Sequence, residues 1–391
     1  MTNGLSSQNA GTVRVRNFSA GGTNGPSHPR LKDDDTKKGN LQYIASYRWQ
    51  PYPKRFLHRL AWVVDVSTLS FRGCGWDWGN ATLPTRVATK SETKAAFKLS
   101  MISTGLSYIA LDLIKVVMMK DPYFWGITDS PPPPFLIFLG LFASPVTRVY
   151  RLLLVCAGIM AALKTFYGYL CILYLGISLF GRPRTRIAIP IEAPWMYRRL
   201  FGPCLTSLLE YGLAGGWAFW WHQIFRFGFV SPSNWIFVQL PQFLQTKSVF
   251  FVLRLTIAFV LSGTMHACGS YTQIAMTYPI SEIFLFFILQ IPGILIQRVL
   301  AHLVSKAGFK CPMWLKRLGN IAFAFVWMLL TGPLAANDFS RGGAWLFEPV
   351  PISPLRGLGF GALNEGWLCW HQRWFRRWEG EKWWQQGIQI V

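Results

Sequence analysis

Two histidines stand in apolar stretches of the sequence and are the residues best suited to chemistry. His266 ends the run Leu255-Thr-Ile-Ala-Phe-Val-Leu-Ser-Gly-Thr-Met-His266, which predicts a helix buried in a membrane. An ionisable side chain at bilayer depth is costly, and it usually faces the interior of a helix bundle or a cavity. A neutral imidazole there can accept a proton as a general base, but it can also serve only as a hydrogen-bonding group between helices.

A polar stripe accompanies His266 along its predicted helix. Helical spacing places Ser262, His266, Ser270 and Gln273 on one face. Arg254 stands 12 residues before His266, which is roughly 18 Å along a helix, and its long side chain can reach the membrane boundary. We expect this face to point into the bundle.

The second histidine follows a cluster of tryptophans, Trp217-Ala-Phe-Trp-Trp221-His222-Gln223, with Arg226 close behind. This pattern favours an aromatic belt at the membrane interface, and the alternative is a polar tip set into an apolar wall. Neither the tryptophan cluster nor the rest of the chain carries a phosphate-binding loop, an HExxH metal motif or a GxSxG nucleophile motif. The seven cysteines have no CxxC spacing, so we expect neither a zinc site nor a disulfide framework.

The composition predicts a protein that crosses a membrane several times. Of 391 residues, 51% are hydrophobic and only 14% are charged, against about 25% charged in soluble domains. The formal net charge is +22, but the basic residues lie between apolar runs. This arrangement fits the basic cytosolic loops of membrane proteins better than nucleic-acid binding.

The pattern along the chain divides it into four regions and predicts an all-α, polytopic transmembrane bundle. Residues 1–40 are polar and predict a disordered tail without a signal peptide, and 41–96 form a basic, aromatic cytosolic or interfacial region. The transmembrane core covers 97–340, and 341–391 form a basic and aromatic interfacial segment. We expect about five to seven spans, since 205–229 and 135–147 are either re-entrant or interfacial; the five clearest lie near 98–119, 152–180, 250–272, 280–300 and 321–334.

Several short motifs, taken together and in order, resemble one family. They are Arg72-Gly-Cys-Gly-Trp-Asp-Trp78, Asp121-Pro-Tyr-Phe124, Trp217-x-x-x-Trp221-His222-Gln223 and Ser262-Gly-Thr-Met-His266. The chain resembles, from about residue 60 to residue 334, the wax synthase-domain acyltransferases, which are relatives of the membrane-bound O-acyltransferases. It is most similar to the fungal members that acetylate terpenoid and meroterpenoid intermediates.

The resemblance implies a direct acyl transfer from acyl-CoA, with acetyl-CoA as co-substrate, to the hydroxyl of a hydrophobic alcohol. It implies no bound cofactor or metal, and a multi-pass protein of the endoplasmic reticulum in contact with membrane lipids. His266 is then the catalytic base and His222 its partner, while substrate-binding roles fall to the set Trp217, Trp221, Gln223, Arg226 and Ser262. Two alternatives remain: a long-chain wax synthase, and a transporter or lipid-binding protein with a proton-relay histidine. Neither the acceptor nor the oligomeric state follows from the sequence.

Overall fold

The computed structural model describes residues 12–16, 47–64, 66–67, 88–180, 194–197, 199–308, 311–362, 365–370, 375–378 and 387–390. The chain divides into two units, which are formed by 1–101 with 169–199 and by 102–168 with 200–391. Helices make up most of the described residues, which confirms the predicted all-α class, and two short strand pairs are added to them.

The first unit holds the N-terminal strand pair, one short helix and the ends of two long ones. Strands β1 (Thr12–Arg16) and β2 (Tyr47–Pro51) pair antiparallel. Of the tail that the sequence predicts to be disordered, only β1 is among the described residues. The helices are α1 (Phe56–Val64), the start of α2 (Lys90–Met118) and the end of α3 (Ala143–Phe180).

The second unit contains the remaining helices, and both histidines lie in it. The end of α2 and the start of α3 belong to it, and strands β3 (Phe375–Trp378) and β4 (Gly387–Ile390) pair near its C-terminus. Single turns of π-helix cover Gly216–Trp220 and Pro279–Phe284. Its other helices are α4 (Cys204–Gly215), α5 (Arg226–Gln239), α6 (Lys247–Tyr271), α7 (Leu285–Lys306), α8 (Met313–Arg341) and α9 (Pro354–Gly357).

Within the described residues, five helical segments are long and apolar enough to cross a membrane, which confirms the lower end of the predicted range. They are Lys90–Met118, Pro134–Phe180, Lys247–Tyr271, Pro279–Lys306 and Met313–Arg341. Each predicted span lies within one of them, to within one residue at its C-terminal end. The sequence pattern underestimates α8 at both ends; at the C-terminal end the reason is that Asp338 is buried with hydrogen-bond partners rather than exposed in a loop.

The motif Asp121-Pro-Tyr-Phe124 builds the turn between α2 and α3. Asp121 is fully buried, caps the 3₁₀ turn Pro122–Trp125 through the backbone amide of Tyr123, and binds Arg151 of α3 at 2.8 Å. The Arg151 guanidinium also lies over the ring of Tyr123 at 4.6 Å, and the Tyr123 hydroxyl donates to Asn337 of α8. The motif therefore joins three helices at this end of the unit.

Helix α4 breaks at Gly212 (φ 59°, ψ −140°), and the chain then returns to the place from which α4 started. The amide of Gly202, just before α4, donates to the carbonyl of Trp220 at 3.0 Å. Near the break, Glu210 of α4 pairs with Arg317 at the start of α8 at 2.5 Å. Helix α5 runs on from there and packs on α6, where the ring of Phe237 lies 4.7 Å from that of Phe250. His222 lies between the π-helical turn and α5, and the choice between a re-entrant and an interfacial course for 205–229 stays a prediction.

A buried amide connects the π-helical turn at Gly216–Trp220 to the long helices. Gln290 of α7 is fully buried, and it accepts a hydrogen bond from the indole of Trp217 at 3.3 Å. Its own amide donates to the backbone of Phe286 and to Thr331 of α8. Because a buried polar group without partners is costly, these bonds fix the relative positions of the three elements.

The two ends of the second unit differ in charge. At the end where α6 and α8 begin and α7 finishes, the described residues include Lys247, Lys306 and Lys316, and also Arg317, which is paired with Glu210. At the opposite end each of three arginines is paired with a carboxylate: Arg151 with Asp121, Arg341 with Glu282 and Arg356 with Glu348. An unneutralised basic end is the one expected to face the cytosol.

Candidate active site

A cavity of about 350 Å³ lies between α5, α6, α7 and the turn that follows α4. Its volume falls within the range of small-molecule sites. Aromatic and aliphatic side chains form most of the wall, together with two histidines and two arginines. All seven residues that the sequence singles out line this one cavity: Trp217, Trp221, His222, Gln223, Arg226, Ser262 and His266.

The ring of His266 is held by the main chain of its own helix. Its Nδ1 lies 2.8 Å from the carbonyl oxygen of Ser262, one helical turn earlier. A carbonyl oxygen can only accept, so Nδ1 carries the proton in this hydrogen bond. In the neutral ring the lone pair is then on Nε2. The helix therefore selects the tautomer whose free nitrogen can accept a proton from a bound group.

Phe287 of α7 supports the other side of the His266 ring. The two ring centroids are 4.4 Å apart and the planes are tilted by 35°. This close approach of α7 to α6 depends on Gly263, which is buried one turn before His266. A Cβ at position 263 would lie 2.9 Å from Cδ2 of Phe284 and 3.2 Å from Cβ of Phe287.

The backbone around His222 is irregular, and it is fixed by hydrogen bonds to a neighbouring segment. The π-helical turn ends as the amide of Trp221 donates to the carbonyl of Gly216 at 2.7 Å. The amide of Gly202 donates to the carbonyl of Trp220, and the amide of Gln223 donates to that of Leu200. The segment at 200–202 thus holds the chain on both sides of His222 in an extended form that a regular helix could not give.

His222 is half-buried and surrounded by aromatic rings. It packs against Trp221 at 5.6 Å and against Phe201 and Phe225 at 6.3 Å. Its Nδ1 is buried and has no hydrogen-bond partner. Burial, reinforced by the neighbouring His266, lowers the pKa of His222 to about 4. The ring is therefore neutral at physiological pH and can donate one N–H hydrogen bond.

Gln223 and Arg226 form a polar pair in the wall. The Gln223 amide donates to the carbonyl of Trp221 at 2.6 Å, and its Oε1 accepts from Arg226 at 3.1 Å. The Arg226 guanidinium also lies 5.8 Å from the ring of Phe219. These internal bonds give Gln223 a role in shaping the turn and orienting Arg226.

Trp217 and Trp221 form an apolar wall of the cavity. The Trp217 ring packs at 5.6 to 6.1 Å on Phe259, Phe286, Phe287 and Trp221. Its indole nitrogen already donates to Gln290, so Trp217 contributes an apolar surface to the cavity and no free hydrogen-bond donor. Phe219 also lines the cavity, whereas its neighbour Trp220 is not among the lining residues.

The polar residues on one face of α6 contribute to two different parts of the structure. Ser262 and His266 line the cavity, as the spacing predicts. Ser270 instead donates to the buried Asp338 of α8 at 3.0 Å, and the Gln273 amide approaches the same carboxylate at 3.5 Å. The lower part of the stripe is therefore a junction between α6 and α8 and lies outside the site.

Sequence reasoning gave Arg254 only a boundary role and did not find Phe287. The face of α6 that lines the cavity is Arg254, Ala258, Ser262 and His266, at a spacing of four residues throughout. That spacing was visible in the sequence, and it would have placed Arg254 in the site. Phe287 comes from another helix, so no local pattern shows its contact with His266.

The described residues contain no candidate metal centre. No group of three or more His, Cys, Asp or Glu side chains within the described part of the chain could hold a metal ion. The motif at 72–78 lies outside the described residues.

The comparisons with known proteins agree with the resemblance seen in the motifs. Residues 197–289 match the model of the Membrane bound O-acyl transferase family, and this segment contains both histidines. The chain is 27% identical over 226 residues to the O-Mevalon transferase yanI of Aspergillus niger, covering 54% of the chain and 46% of that protein. No solved structure gives a significant match.

Two further relatives carry the name acetyltransferase. The chain is 28% identical over 194 residues to acetyltransferase spyB of Aspergillus fumigatus, which covers 44% of the chain and 29% of that protein. It is 24% identical over 294 residues to acetyltransferase ple2 of Rhodocybe pseudopiperita, covering 74% of the chain and 69% of that protein. The chain spans about half the length of the two O-mevalon transferases it matches. The predicted similarity to fungal membrane acyltransferases is confirmed.

Proposed function

We propose that this chain is a multi-pass membrane acyltransferase that moves an acyl group from acyl-CoA to a hydroxyl of a hydrophobic secondary metabolite, a terpenoid or meroterpenoid. The observation that carries the proposal is the paired setting of the two histidines in one cavity. The similarity to proteins named acetyltransferase supports acetyl as the acyl group.

His266 acts as the general base. Its Nε2 takes the proton of the acceptor hydroxyl while the hydroxyl oxygen attacks the thioester carbonyl carbon. The tetrahedral intermediate then collapses, the C–S bond breaks, and the proton passes from His266 to the leaving thiolate. Since the cavity wall offers a base of fixed tautomer, the reaction needs no covalent acyl-enzyme.

His222 stabilises the oxyanion. A neutral imidazole can donate one hydrogen bond to the negative oxygen that develops on the thioester carbonyl. The Gln223 amide is already bound to Trp221 and Arg226, so His222 is the better placed of the two groups. Trp217, Trp221 and Ser262 bind the substrates through the wall they form.

The lysines at the basic end of the second unit support entry of the donor from the cytosol, since CoA is anionic. We place the protein in the endoplasmic reticulum membrane. The rival acyl group is the one named in the O-mevalon transferases, which are also similar to this chain. Offering both acyl thioesters in one competition assay separates the two.

The test compares His266→Ala with His302→Ala in membranes from a host that expresses the protein. His302 is exposed on α7 and serves as the matched control. With labelled acetyl-CoA and a panel of terpenoid alcohols, we expect the first variant to lose a factor of about 10² to 10⁴ in rate and the control to keep its rate. Equal rates for folded His266→Ala and the wild type would refute the assignment.

A further inference from the structure

Two arginines line the cavity without any carboxylate to neutralise them. Arg226 begins α5 and Arg254 lies on α6, and no Asp or Glu is among the residues of the cavity wall. Arg226 is bound only to the neutral Gln223 amide and a phenylalanine ring, and Arg254 has no partner in the described part of the chain. Two cations facing one cavity repel each other unless an anion lies between them.

In the described part of the second unit, the other arginines that lie away from solvent have acidic partners. Arg151, Arg341 and Arg356 are each bound to a carboxylate at 2.8 Å or less. A partly buried charge without a partner costs free energy that a bound counter-charge recovers. Among these described arginines, the two of the cavity are the exception, and their setting indicates a ligand that supplies the negative charge.

The start of α5 adds to the same positive potential. Phe225 occupies its N-cap position and offers no side-chain hydrogen bond to the first turn. Free backbone amides and the helix dipole at an N-terminus favour anions such as phosphate. Arg226 is the first residue of this helix, so the potential of the helix end and that of the guanidinium act at one place.

The spacing along α6 restricts the shape of the ligand. Arg254, Ala258, Ser262 and His266 line the cavity from one face of a continuous helix. The 12-residue separation of Arg254 from His266 corresponds to roughly 18 Å. A donor that touches both needs its anionic group at one end, its reactive carbon at the other, and a long thin arm between them. The pantetheine arm of CoA has this form.

We propose that Arg226 and Arg254 form the subsite for the phosphate groups of the acyl-CoA donor, with the thioester at the level of His266. This assignment rests on the proposed function. The shared chemistry is that of an oxyanion, which a carboxylate of the acceptor or a lipid phosphate could also supply, and the experiment separates these sources.

The experiment measures binding of labelled acetyl-CoA to the purified full-length protein in nanodiscs. Arg254→Gln and Arg226→Gln are compared with Arg298→Gln. Arg298 stacks on the ring of Phe251 at 4.3 Å and is not among the cavity-lining residues, so it is a matched control for removal of a nearby positive charge. Acetyl-pantetheine, which lacks the nucleotide and its phosphates, is tested in parallel by competition.

Each cavity variant is expected to weaken acetyl-CoA binding about tenfold or more, as for the loss of a charged hydrogen bond, and Arg298→Gln to leave it unchanged. Binding of acetyl-pantetheine should be weak in the wild type and the same in all variants. Wild-type affinity in folded Arg254→Gln and Arg226→Gln would overturn the proposal and leave an acceptor carboxylate or a lipid phosphate as the ligand. Equal affinity of the wild type for acetyl-CoA and acetyl-pantetheine would also overturn it.

The binding assay separates this inference from the proposed function. Tight acetyl-CoA binding that depends on both arginines, without acyl transfer to any tested alcohol, would refute the proposed function and keep the subsite. Acyl transfer with a KM for acetyl-CoA that neither arginine variant raises would keep the function and refute the subsite.

Discussion

Gly263 allows the most direct test of how His266 is supported. An alanine there would place its Cβ 2.9 Å from Cδ2 of Phe284 and 3.2 Å from Cβ of Phe287. The first distance is shorter than normal carbon contacts, so α7 or its side chains must move. Because Phe287 stacks on the ring of His266 at 4.4 Å, that movement reaches the proposed base.

A matched control lies on the same helix. Gly269 is exposed, and a Cβ added there meets nothing within 4 Å. Both substitutions gain about 1 kcal/mol of helix propensity, because alanine favours the helix more than glycine does. Gly263→Ala alone suffers overpacking, which typically costs about 1–3 kcal/mol. The difference between the two variants therefore isolates the steric term.

The assay is thermal unfolding in detergent, followed by tryptophan fluorescence, with the acyl-transfer rate as a second readout. We expect Gly263→Ala to be less stable than Gly269→Ala by about 1–3 kcal/mol and to transfer acyl groups more slowly. Phe284→Ala should reduce the penalty of Gly263→Ala in the double variant, since it removes the nearest contact. Equal stability of the two glycine variants would refute the packing argument.

Three further perturbations have defined outcomes. Asp121→Asn removes the only carboxylate bound to the partly buried Arg151 among the described residues and should destabilise the protein by about 3–5 kcal/mol in denaturation experiments, whereas Asn in place of the exposed Asp129 should change little. Thr246→Ala removes the hydroxyl that caps α6 and should cost about 1 kcal/mol in the same measurement; an unchanged midpoint would contradict the cap. Burial lowers the pKa of His222 to about 4 in the folded protein, so between pH 6.5 and 4 the unfolded chain binds more protons than the folded one. The free energy of unfolding should therefore fall as pH drops below about 6.5. A His222→Gln variant with the same dependence of stability on pH in this range would disprove this.

The long helices and one face of the site follow from sequence periodicity. Apolar runs predicted the five spans, and the four-residue spacing correctly put Ser262 beside His266 on the wall of the cavity. The same spacing could not show that Ser270 turns to Asp338, because that partner stands 68 positions later in the chain. Helical spacing defines a face, and packing between distant segments decides what the face meets.

The setting of His222 shows a second limit. Its sequence left open whether the tryptophan cluster is an interfacial belt or the wall around a polar tip. The irregular turn that places it depends on backbone hydrogen bonds from Gly202 and Gln223 to residues of another segment. Backbone irregularity of this kind has no side-chain signature, so the cavity and its volume were beyond what periodicity could show.

The hydrogen bond that orients His266 ends on a main-chain oxygen, and this has a consequence for genetics. In many hydrolases a second side chain, such as an aspartate, orients the histidine, and mutating that side chain lowers activity and so identifies it. Here the orienting group is the carbonyl at Ser262, which every amino acid possesses. An alanine scan would remove the Ser262 hydroxyl and leave that carbonyl in place, so the second member of the pair is hidden from side-chain mutagenesis. Chemical replacement of the peptide unit itself would be needed to reveal it.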